Sequence, residues 1–420
     1  MLLDVLNLQT SLVLTYLLLF NFLVESEHEA ATSNGSAGPL GIAIVGAGIG
    51  GVTAAIGLRR NGHILYEKSP LANEFGAAVG LYPNGTGILR AWGIFAETFG
   101  ANSMSRFVEY ARDGSVLREF PEPNWTCWKH PSQLVYRVAL HEGLKQIATS
   151  PDGPGTPAKL FTSSKVVAVN PEQGTVTLEN GTVATADVVV GADGVYSTTR
   201  KYICDTQLVS SGQAAFRFMI PRSTAEADPV TAPLVKNLIN TMSSWSGGDR
   251  WLVMYPCNDN QLLNFACIHP GSESHAVQSD EWNKQASLDQ VLKVYDEFDP
   301  SVKAFLAKAD PSTIKVWQLM DMDKPPTWVS GKLALLGDAA HPFTPRKHWT
   351  GAVKAIEDAA ALSVVLPPST PHSQICERLK LYESIRYERA HKIQHASRMT
   401  GQDRVDGKPE VDSELKYHHH

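Results

Sequence analysis

A strand that runs directly into a glycine-rich turn and then into a helix limits what this chain can fold into more than any other feature. The apolar run Ile42-Ala-Ile-Val45 leads into Gly46-Ala-Gly48-Ile-Gly50-Gly51, and VTAAIGLRR continues at helical spacing. A second short strand, His63-Ile-Leu-Tyr66, comes next, and Glu67 stands at its end. The order of strand, glycine turn, helix and strand predicts a βαβ unit.

Each glycine of the Gly46-x-Gly48-x-x-Gly51 motif has its own task in a dinucleotide-binding turn. The first permits the tight turn, the second lets a pyrophosphate approach the backbone, and the third allows the helix to pack closely on the strand. Free N–H groups at the start of the helix then face the anion. Glu67, which follows Gly46 by 21 residues, is placed to bind ribose hydroxyls. The motif predicts a dinucleotide site but leaves NAD and FAD both open.

Two later segments repeat the pattern of a strand that ends in glycine. Residues 165–191 predict a β-meander with a hairpin at Asn180-Gly181, and this meander ends in Gly191-Ala-Asp193-Gly194. The apolar run Leu333-Ala-Leu-Leu336 leads into Gly337-Asp338, and a helical pattern begins near Gly351. We therefore expect one nucleotide-binding domain that is built from discontinuous pieces, residues 41–205 and 330–401.

The remaining segments complete the predicted organisation. Residues 206–329 contain aromatic strand-like runs between polar loops, which predicts a second, mostly antiparallel domain that binds the substrate. Apolar residues at helical spacing predict a long C-terminal helix over residues 374–400. Residues 1–40 are expected to be an apolar segment and a linker, and residues 402–420 a disordered tail. The predicted fold class is α/β, with a Rossmann-like domain, an antiparallel substrate domain and a C-terminal helix.

Composition excludes several other classes of protein. A formal net charge of −6 provides no basic field, so we expect no nucleic-acid partner. The five cysteines are widely spread and contain no C-x-x-C, so neither a disulfide framework nor a metal site is predicted. The apolar residues 12–24 are short for a bilayer span of roughly 20 residues. Membrane association through this segment and a non-functional extension both remain open, and we expect an intracellular protein that is either anchored or cytosolic.

The second and third motifs make a resemblance specific. Gly191-Ala-Asp193-Gly194 is followed by Ser197 and Arg200, and the later motif reads Leu336-Gly337-Asp338-Ala-Ala-His341-Pro342. Together with the first glycine motif they resemble the class A FAD-dependent monooxygenases, which include the salicylate-hydroxylase-like aromatic hydroxylases and relatives in fungal secondary metabolism. The resemblance extends from about residue 41 to about residue 401.

This resemblance implies a cofactor, FAD, and a co-substrate, NAD(P)H, that visits the enzyme only to deliver electrons. It also implies positions for the residues that hold FAD. Asp193 would support both FAD and the nicotinamide donor, and the 345–352 stretch would line the isoalloxazine. The implied cofactor-binding residues are Gly46, Gly48 and Gly51 at the pyrophosphate, Glu67 at the ribose, Gly80 and Arg137 beside FAD, Asp193, Asp338 at the ribityl or phosphate region, and Gly351 and Ala352 at the ring.

The implied reaction sets requirements on the substrate pocket. NAD(P)H would reduce FAD, and one atom of O2 would pass to an electron-rich carbon of a small aromatic substrate. Ionisation of a phenol activates its ring, so the pocket benefits from a cation and from a group that moves a proton. Arg217 occupies the family position suited to the first task, and Tyr255 is the candidate polar partner. Trp245 and Trp251 are expected to pack in the core.

One segment departs from the family pattern. After Pro345 the family carries a Gly-x-Gly, whereas this chain carries Arg346-Lys-His-Trp-Thr350 before Gly351. Small residues are needed where a backbone passes close to a flavin ring. The hydroxylation or oxidative dearomatisation of a phenol is the leading hypothesis. An epoxidase that acts on a prenylated substrate and a catalytically impaired FAD-binding relative are the alternatives.

Overall fold

The computed structural model describes residues 38–71, 77–120, 129–274, 284–344 and 351–402, with side chains described to residue 398. Within these ranges the chain forms two large and two small β-sheets, which helices cover. In chain order the strands are β1 (Gly41–Val45), β2 (Gly62–Tyr66), β3 (Ala78–Leu81), β4 (Asn102–Ser103), β5 (Arg106–Ala111), β6 (Val116–Phe120), β7 (Gln133–Tyr136), β8 (Lys159–Phe161), β9 (Val166–Asn170), β10 (Thr175–Leu178), β11 (Val183–Thr185), β12 (Val188–Gly191), β13 (Leu208–Pro221), β14 (Thr241–Gly247), β15 (Arg250–Cys257), β16 (Leu262–Pro270), β17 (Lys284–Gln285), β18 (Lys315–Met322), β19 (Val329–Ser330) and β20 (Leu333–Leu335).

Among the described residues, the five longer helices pack around the first large sheet and the four short helices pack against the second. They are α1 (Ile49–Gly57), α2 (Pro83–Ala91), α3 (Arg137–Thr149), α4 (Arg222–Glu226), α5 (Ala232–Val235), α6 (Leu288–Val294), α7 (Pro300–Leu306), α8 (Gly351–Val365) and α9 (Ile375–Gln402), with short 3₁₀ turns at Ala96–Phe99, Thr199–Tyr202, Gly271–Glu273, Gly337–Ala339 and His372–Gln374.

The first large sheet carries the predicted βαβ unit. Its order is β19-β20-β12-β1-β2-β8, and every neighbouring pair is parallel except β19 with β20. Strand β1 is almost entirely buried, because helices cover its face with Ile42 and Ile44, and strands β9 and β10 cover its face with Ala43 and Val45. The small residues of α1, including Ala54 and Ala55, are fully buried and let this helix pack tightly between the sheet and α8. The βαβ prediction is confirmed.

The second large sheet is mixed. Its order is β17-β18-β13-β16-β15-β14-β5-β6, and its pairs are antiparallel except β14 with β5, which is parallel. Strands β5 and β6 come from the segment assigned by sequence to the nucleotide-binding domain. Strands from both sides of the predicted boundary at residue 206 therefore share this sheet. Helices α6 and α7 cover one face, where Phe216, Phe265 and Phe305 are buried together.

Two small antiparallel sheets complete the described fold. The predicted meander forms β9, β10 and β11, with the Asn180-Gly181 turn between the last two strands. Its predicted end was wrong, because the run that leads into Gly191 forms β12 of the parallel sheet and Val183–Thr185 is the third meander strand. The other sheet has the order β3-β7-β4. Its residues Ala78 and Leu134 lie in the same buried cluster as Tyr255 and Ala266 of the mixed sheet. This three-stranded sheet thus connects the two large sheets.

Several predictions fall on parts of the chain outside the described residues. They concern the apolar segment 12–24, the altered loop at 346–350 and the tail that follows residue 402. In the ranges that the structure does describe, no helix is both long and apolar enough to cross a bilayer.

Candidate active site

Three strand ends meet at one edge of the parallel sheet. Strands β20, β12 and β1 are adjacent and parallel, so the turns that follow them emerge side by side. These turns carry Gly46 to Gly51, Ala192 to Gly194 and Gly337 to Asp338, and all three line one groove of about 590 Å³. Three motifs that are distant in sequence therefore form a single site. Ligands of α/β sheets bind at this carboxyl edge of the strands.

The first turn shows why glycine is needed at each position of its motif. Gly46 has φ of +100°, and a Cβ at this residue would collide with the carbonyl oxygen of Ala192. A Cβ at Gly51 would collide with the carbonyl oxygen of Gly46, so the start of α1 packs directly against the turn. A Cβ at Gly48 would meet nothing within 4 Å, and Gly48 lines the groove. The turn thus has a packed inner side and an open side that can admit a pyrophosphate.

Glu67 lies beside this turn. Its carboxylate accepts hydrogen bonds from the backbone N–H of Ala47, at 2.8 Å, and of Ser69, also at 2.8 Å. The side chain is half-buried, and it lines the groove next to Lys68. Two backbone bonds hold the carboxylate at the end of β2, where it can accept further hydrogen bonds from a ribose.

Asp193 fastens the second turn. One carboxylate oxygen accepts from the hydroxyls of Ser197 and Thr199, at 2.6 and 2.7 Å. The other oxygen accepts from the backbone N–H of Thr198 and of Thr199, at 2.7 and 2.9 Å. Arg200 links the second turn to the third, because its guanidinium donates a hydrogen bond of 3.0 Å to the carbonyl of Ala339. The side chain of Asp193 lines the groove and also ties its own loop together.

A buried charge network supports the third turn from behind. Asp358 of α8 is fully buried and accepts a 2.9 Å hydrogen bond from the backbone N–H of Gly337. It also bonds His341 Nε2 and Arg386 Nε, each at 2.7 Å. Burial raises the pKa of Asp358, but the neighbouring His341 and Arg386 outweigh burial and lower this pKa to about 2. The turn that carries Asp338 is therefore held by a carboxylate that is charged at neutral pH.

Asp338 itself lines the groove. Burial is the main cause that raises the pKa of its carboxyl above the ordinary value, and the nearby Asp358 acts in the same direction. Gly351 and Ala352 at the start of α8 line the groove beside it. A Cβ at Gly351 would come to 3.8 Å from an Asp338 carboxylate oxygen, so this helix start and the third turn form one continuous wall.

The opposite wall of the groove belongs to the mixed sheet. Arg217 of β13 lies over the ring of Trp317 of β18, with 4.5 Å between the guanidinium carbon and the ring centroid. Burial is the main cause that lowers the pKa of Arg217 to about 10; Tyr255 acts in the opposite direction, and Arg137 contributes to the lowering. Arg217 therefore remains protonated at neutral pH. Arg137, Arg217 and Trp317 all line the groove, which places two cations and an aromatic ring at this end.

A family model described as an FAD binding domain matches residues 40–397 of the chain. The chain belongs to this FAD-binding family. The first turn fits this cofactor, because the side of the turn that is open at Gly48 faces the groove and can admit a pyrophosphate.

Characterised relatives narrow the class of this FAD-binding protein. The chain is 34% identical to the FAD-dependent monooxygenase cfoG of Aspergillus candidus over 383 residues, which cover 86% of this chain and 85% of cfoG. It is 33% identical to hispidin-3-hydroxylase of Neonothopanus nambi over 371 residues, 84% of this chain and 86% of the hydroxylase. A salicylate hydroxylase solved with its substrate has the same fold, with a TM-score of 0.72, 24% identity, and coverage of 90% of this chain and 92% of that one. The chain is a class A FAD-dependent monooxygenase, which confirms the resemblance read from its motifs.

Most residues that were predicted to hold FAD lie around this one groove. Gly80 is in β3, next to the groove-lining Val79, and is not itself among the residues that line the groove. The assignment of individual roles to these residues stays a prediction. The predicted cofactor residues that line the groove are Gly46, Gly48, Glu67, Arg137, Asp193, Asp338, Gly351 and Ala352, and Gly51 packs behind the first turn.

Tyr255 is not among the residues that line the groove, and its role as a polar partner in the substrate pocket stays a prediction. Its side chain is fully buried in the cluster between the mixed sheet and β3, and its hydroxyl donates a 2.8 Å hydrogen bond to the carbonyl of Ala78. Tyr255 is on β15, two strands from Arg217 on β13, but the register places both side chains on the same face of the sheet. The charge of Arg217 partly offsets the effect of burial, which raises the pKa of Tyr255. Trp245 and Trp251 are buried in the core, as expected.

Sequence reasoning missed several residues of the groove. Trp317 and Leu319 of β18, and Phe343 after the third turn, supply much of its apolar surface. No motif marks β18, although the β-branched and aromatic residues Val316 and Trp317 favour a strand. The support from Asp358 and Arg386 was also missed. An acidic pair within the apolar AIEDAAAL run could have indicated a buried, paired carboxylate.

Proposed function

We propose that this monooxygenase uses NAD(P)H and O2 to hydroxylate, or oxidatively dearomatise, a phenolic small molecule in secondary metabolite biosynthesis. The observation that carries the proposal is the composition of the groove. One wall consists of the three turns that suit FAD, and the facing wall places Arg217 and Trp317 beside the same space. The name of hispidin-3-hydroxylase, a relative that covers most of the chain, supports a hydroxylated aromatic substrate.

The residues that would hold FAD follow from the three turns. Backbone N–H groups at the start of α1 would bind the pyrophosphate over Gly48, and Glu67 would accept hydrogen bonds from the adenosine ribose. Asp338 would bind the ribityl chain, and Gly351 and Ala352 would lie beside the ring. When bound, FAD supplies the capacity to take two electrons from NAD(P)H and to activate O2.

Arg217 would activate the substrate. Its guanidinium remains charged at neutral pH although it is buried, and Trp317 holds it by a cation–π contact. A nearby cation lowers the pKa of a bound phenol by roughly 1–3 units, so that more of the phenol is present as phenolate. The ring of a phenolate is more electron-rich at the carbon that receives oxygen. Arg137 adds a second positive charge to the same region.

An absorption spectrum of the purified protein, followed by NADPH addition, tests the proposal. We expect the yellow colour of bound FAD, bleaching under anaerobic NADPH, and NADPH oxidation that a suitable phenol accelerates. Mass spectrometry after reaction under ¹⁸O2 should find one labelled atom in the product. Bound FAD that NADPH does not reduce would contradict turnover and favour an impaired relative. Oxygen transfer to an alkene but to no phenol would favour the epoxidase.

The role of Arg217 has its own test. Arg217→Met should retain FAD but lower kcat/KM for the phenol by about tenfold or more, and the pH at which activity rises should move upward. Arg106→Gln is the matched control, because Arg106 lies on β5 of the same sheet in a surface pair with Glu119. A pH profile of Arg217→Met that equals the profile of the control would contradict the role in ionisation.

A further inference from the structure

Two buried polar side chains of the mixed sheet bind both backbone polar groups of one residue in β3. The Tyr255 hydroxyl donates to the carbonyl of Ala78, at 2.8 Å. The N–H of Ala78 donates to Asn264 Oδ1, also at 2.8 Å. Tyr255 and Asn264 face each other as direct partners on β15 and β16, and all three residues are fully buried. We call Tyr255 and Asn264 the Ala78 clamp.

Ala78 begins the strand that supplies part of the groove wall. The next residue, Val79, lines the groove, and Ala78 is paired with Tyr136 of β7. Strand β7 leads directly into Arg137, whose N–H donates to the carbonyl of Ala77 at 3.1 Å and whose side chain also lines the groove. A fixed position for Ala78 therefore fixes Val79 and Arg137 as well.

The surroundings of the clamp argue against simple core packing. Tyr255 lies in a cluster of apolar residues that includes Trp251, Val253 and Ala266, where a phenylalanine would fill the same volume. Burial raises the pKa of Tyr255 well above its ordinary value, so the hydroxyl stays protonated and remains a donor. Within the described part of the chain, Asn264 Nδ2 has no hydrogen-bond partner. Burial of an amide whose N–H donor is unpaired lowers the free energy of unfolding. The hydrogen bond from Ala78 to the oxygen of the same amide must offset this loss.

We propose that Tyr255 and Asn264 are positioning residues that set the width of the groove at Val79 and Arg137, and thereby the tightness of FAD binding. The clamp ties β3 to the mixed sheet, so it fixes the FAD-side wall relative to the wall that carries Arg217. This proposal rests on the proposed use of the groove for FAD. Neither Tyr255 nor Asn264 is among the residues that line the groove, so we expect the clamp to act on FAD through β3.

The variant Tyr255→Phe removes one half of the clamp without changing the packed volume. A matched control exists, because Tyr295 is also fully buried and its hydroxyl donates to the carbonyls of Trp251 and Ile268, at 3.2 and 2.8 Å, within the mixed sheet. Each phenylalanine removes a buried hydroxyl and its hydrogen bonding to backbone carbonyls, so both variants should lose similar thermal stability. We expect Tyr255→Phe to bind FAD about tenfold more weakly and to shift the visible absorption band of bound FAD. Tyr295→Phe should keep the parental affinity and spectrum.

Hydrogen exchange of the FAD-free protein provides a readout that does not depend on the cofactor. Amides of Ala78 to Leu81 should exchange faster in Tyr255→Phe and at the parental rate in Tyr295→Phe. Asn264→Leu should reproduce the effect of Tyr255→Phe on FAD affinity. The double variant should lose less affinity than the product of the two single losses, because both residues hold the same strand.

Two results would overturn the clamp. The first is equal FAD affinity and equal exchange of β3 in Tyr255→Phe and Tyr295→Phe, and the second is full additivity of Tyr255→Phe and Asn264→Leu. A parental protein that binds no FAD would instead refute the proposed function. In that case the exchange of β3 alone still decides whether the clamp fixes this strand.

Discussion

Alanine at Gly48 should weaken FAD binding with little change in stability, whereas alanine at Gly51 should destabilise the fold. A Cβ at Gly48 meets nothing within 4 Å, and Gly48 has φ of −68° and ψ of −178°, which alanine adopts without strain. A Cβ at Gly51 would collide with the carbonyl oxygen of Gly46, which is part of the backbone and cannot turn aside as a side chain can. Gly48→Ala should therefore weaken FAD binding, and Gly51→Ala should lower the free energy of unfolding.

The magnitudes follow from these contacts. Gly48→Ala stabilises by about 0.4–1 kcal/mol through the unfolded chain and loses about 0.5–1 kcal/mol because alanine is a poorer helix N-cap than glycine, so its free energy of unfolding should change by less than about 1 kcal/mol. A methyl group over the open side would displace at least one charge-assisted hydrogen bond to the pyrophosphate, which costs about 1.5–3 kcal/mol. FAD should then bind roughly 10- to 150-fold more weakly. Gly51→Ala should destabilise the fold by about 1–3 kcal/mol through overpacking.

Two measurements on each variant separate these effects. Denaturant unfolding of the FAD-free proteins reports the free energy of unfolding, and quenching of FAD fluorescence during titration reports the dissociation constant. If Gly48→Ala binds FAD as tightly as the parent, the pyrophosphate does not pass over this turn. If Gly51→Ala is as stable as the parent, the close contact of Gly51 with Gly46 does not hold.

Three further outcomes concern the charges behind the third turn and the wall of the mixed sheet. Asp358→Asn should lower the free energy of unfolding by about 3–5 kcal/mol, because the buried charge of Arg386 loses one of its partners. The control Glu388→Gln removes a charge from an exposed pair and should lower the free energy of unfolding by less than about 1 kcal/mol in the same denaturant titration. The folded pKa of Asp358, about 2, lies below its unfolded value near 3.9, so its contribution is complete above about pH 4 and disappears as the pH falls through about 2. The difference in unfolding free energy between parent and Asp358→Asn should shrink over that interval in acid titrations, and a constant difference would contradict the assignment. Trp317→Leu should raise KM for the phenol and leave the FAD dissociation constant unchanged, as measured by steady-state kinetics and fluorescence titration.

Glycine motifs carried most of the predictive power of the sequence. Gly46 and Gly51 tolerate no Cβ for backbone reasons, so their spacing reports local geometry directly. Each of the three motifs follows a short apolar run, and parallel strands place their carboxyl ends at the same edge. The convergence of Glu67, Asp193 and Asp338 on one groove could therefore be predicted from the amino-acid sequence alone.

Features that depend on long-range pairing could not be predicted in this way. Strand β5 joins the mixed sheet by pairing in parallel with β14, which lies far away along the chain, and no local pattern encodes this partner. The position of Tyr255 also depends on strand order, since the β15 residue faces Ala78 rather than the groove. Trp317 reaches the groove only because β18 pairs with β13 beside Arg217.

A crystal structure of the protein with FAD tests the central claim most directly, because it shows whether the three strand ends hold one cofactor. We expect one FAD per chain, with the adenosine ribose at Glu67, the pyrophosphate over Gly48, the ribityl chain at Asp338 and the ring between Gly351 and Arg217. FAD bound in a different cavity, or contacts with only one of the three turns, would contradict this account.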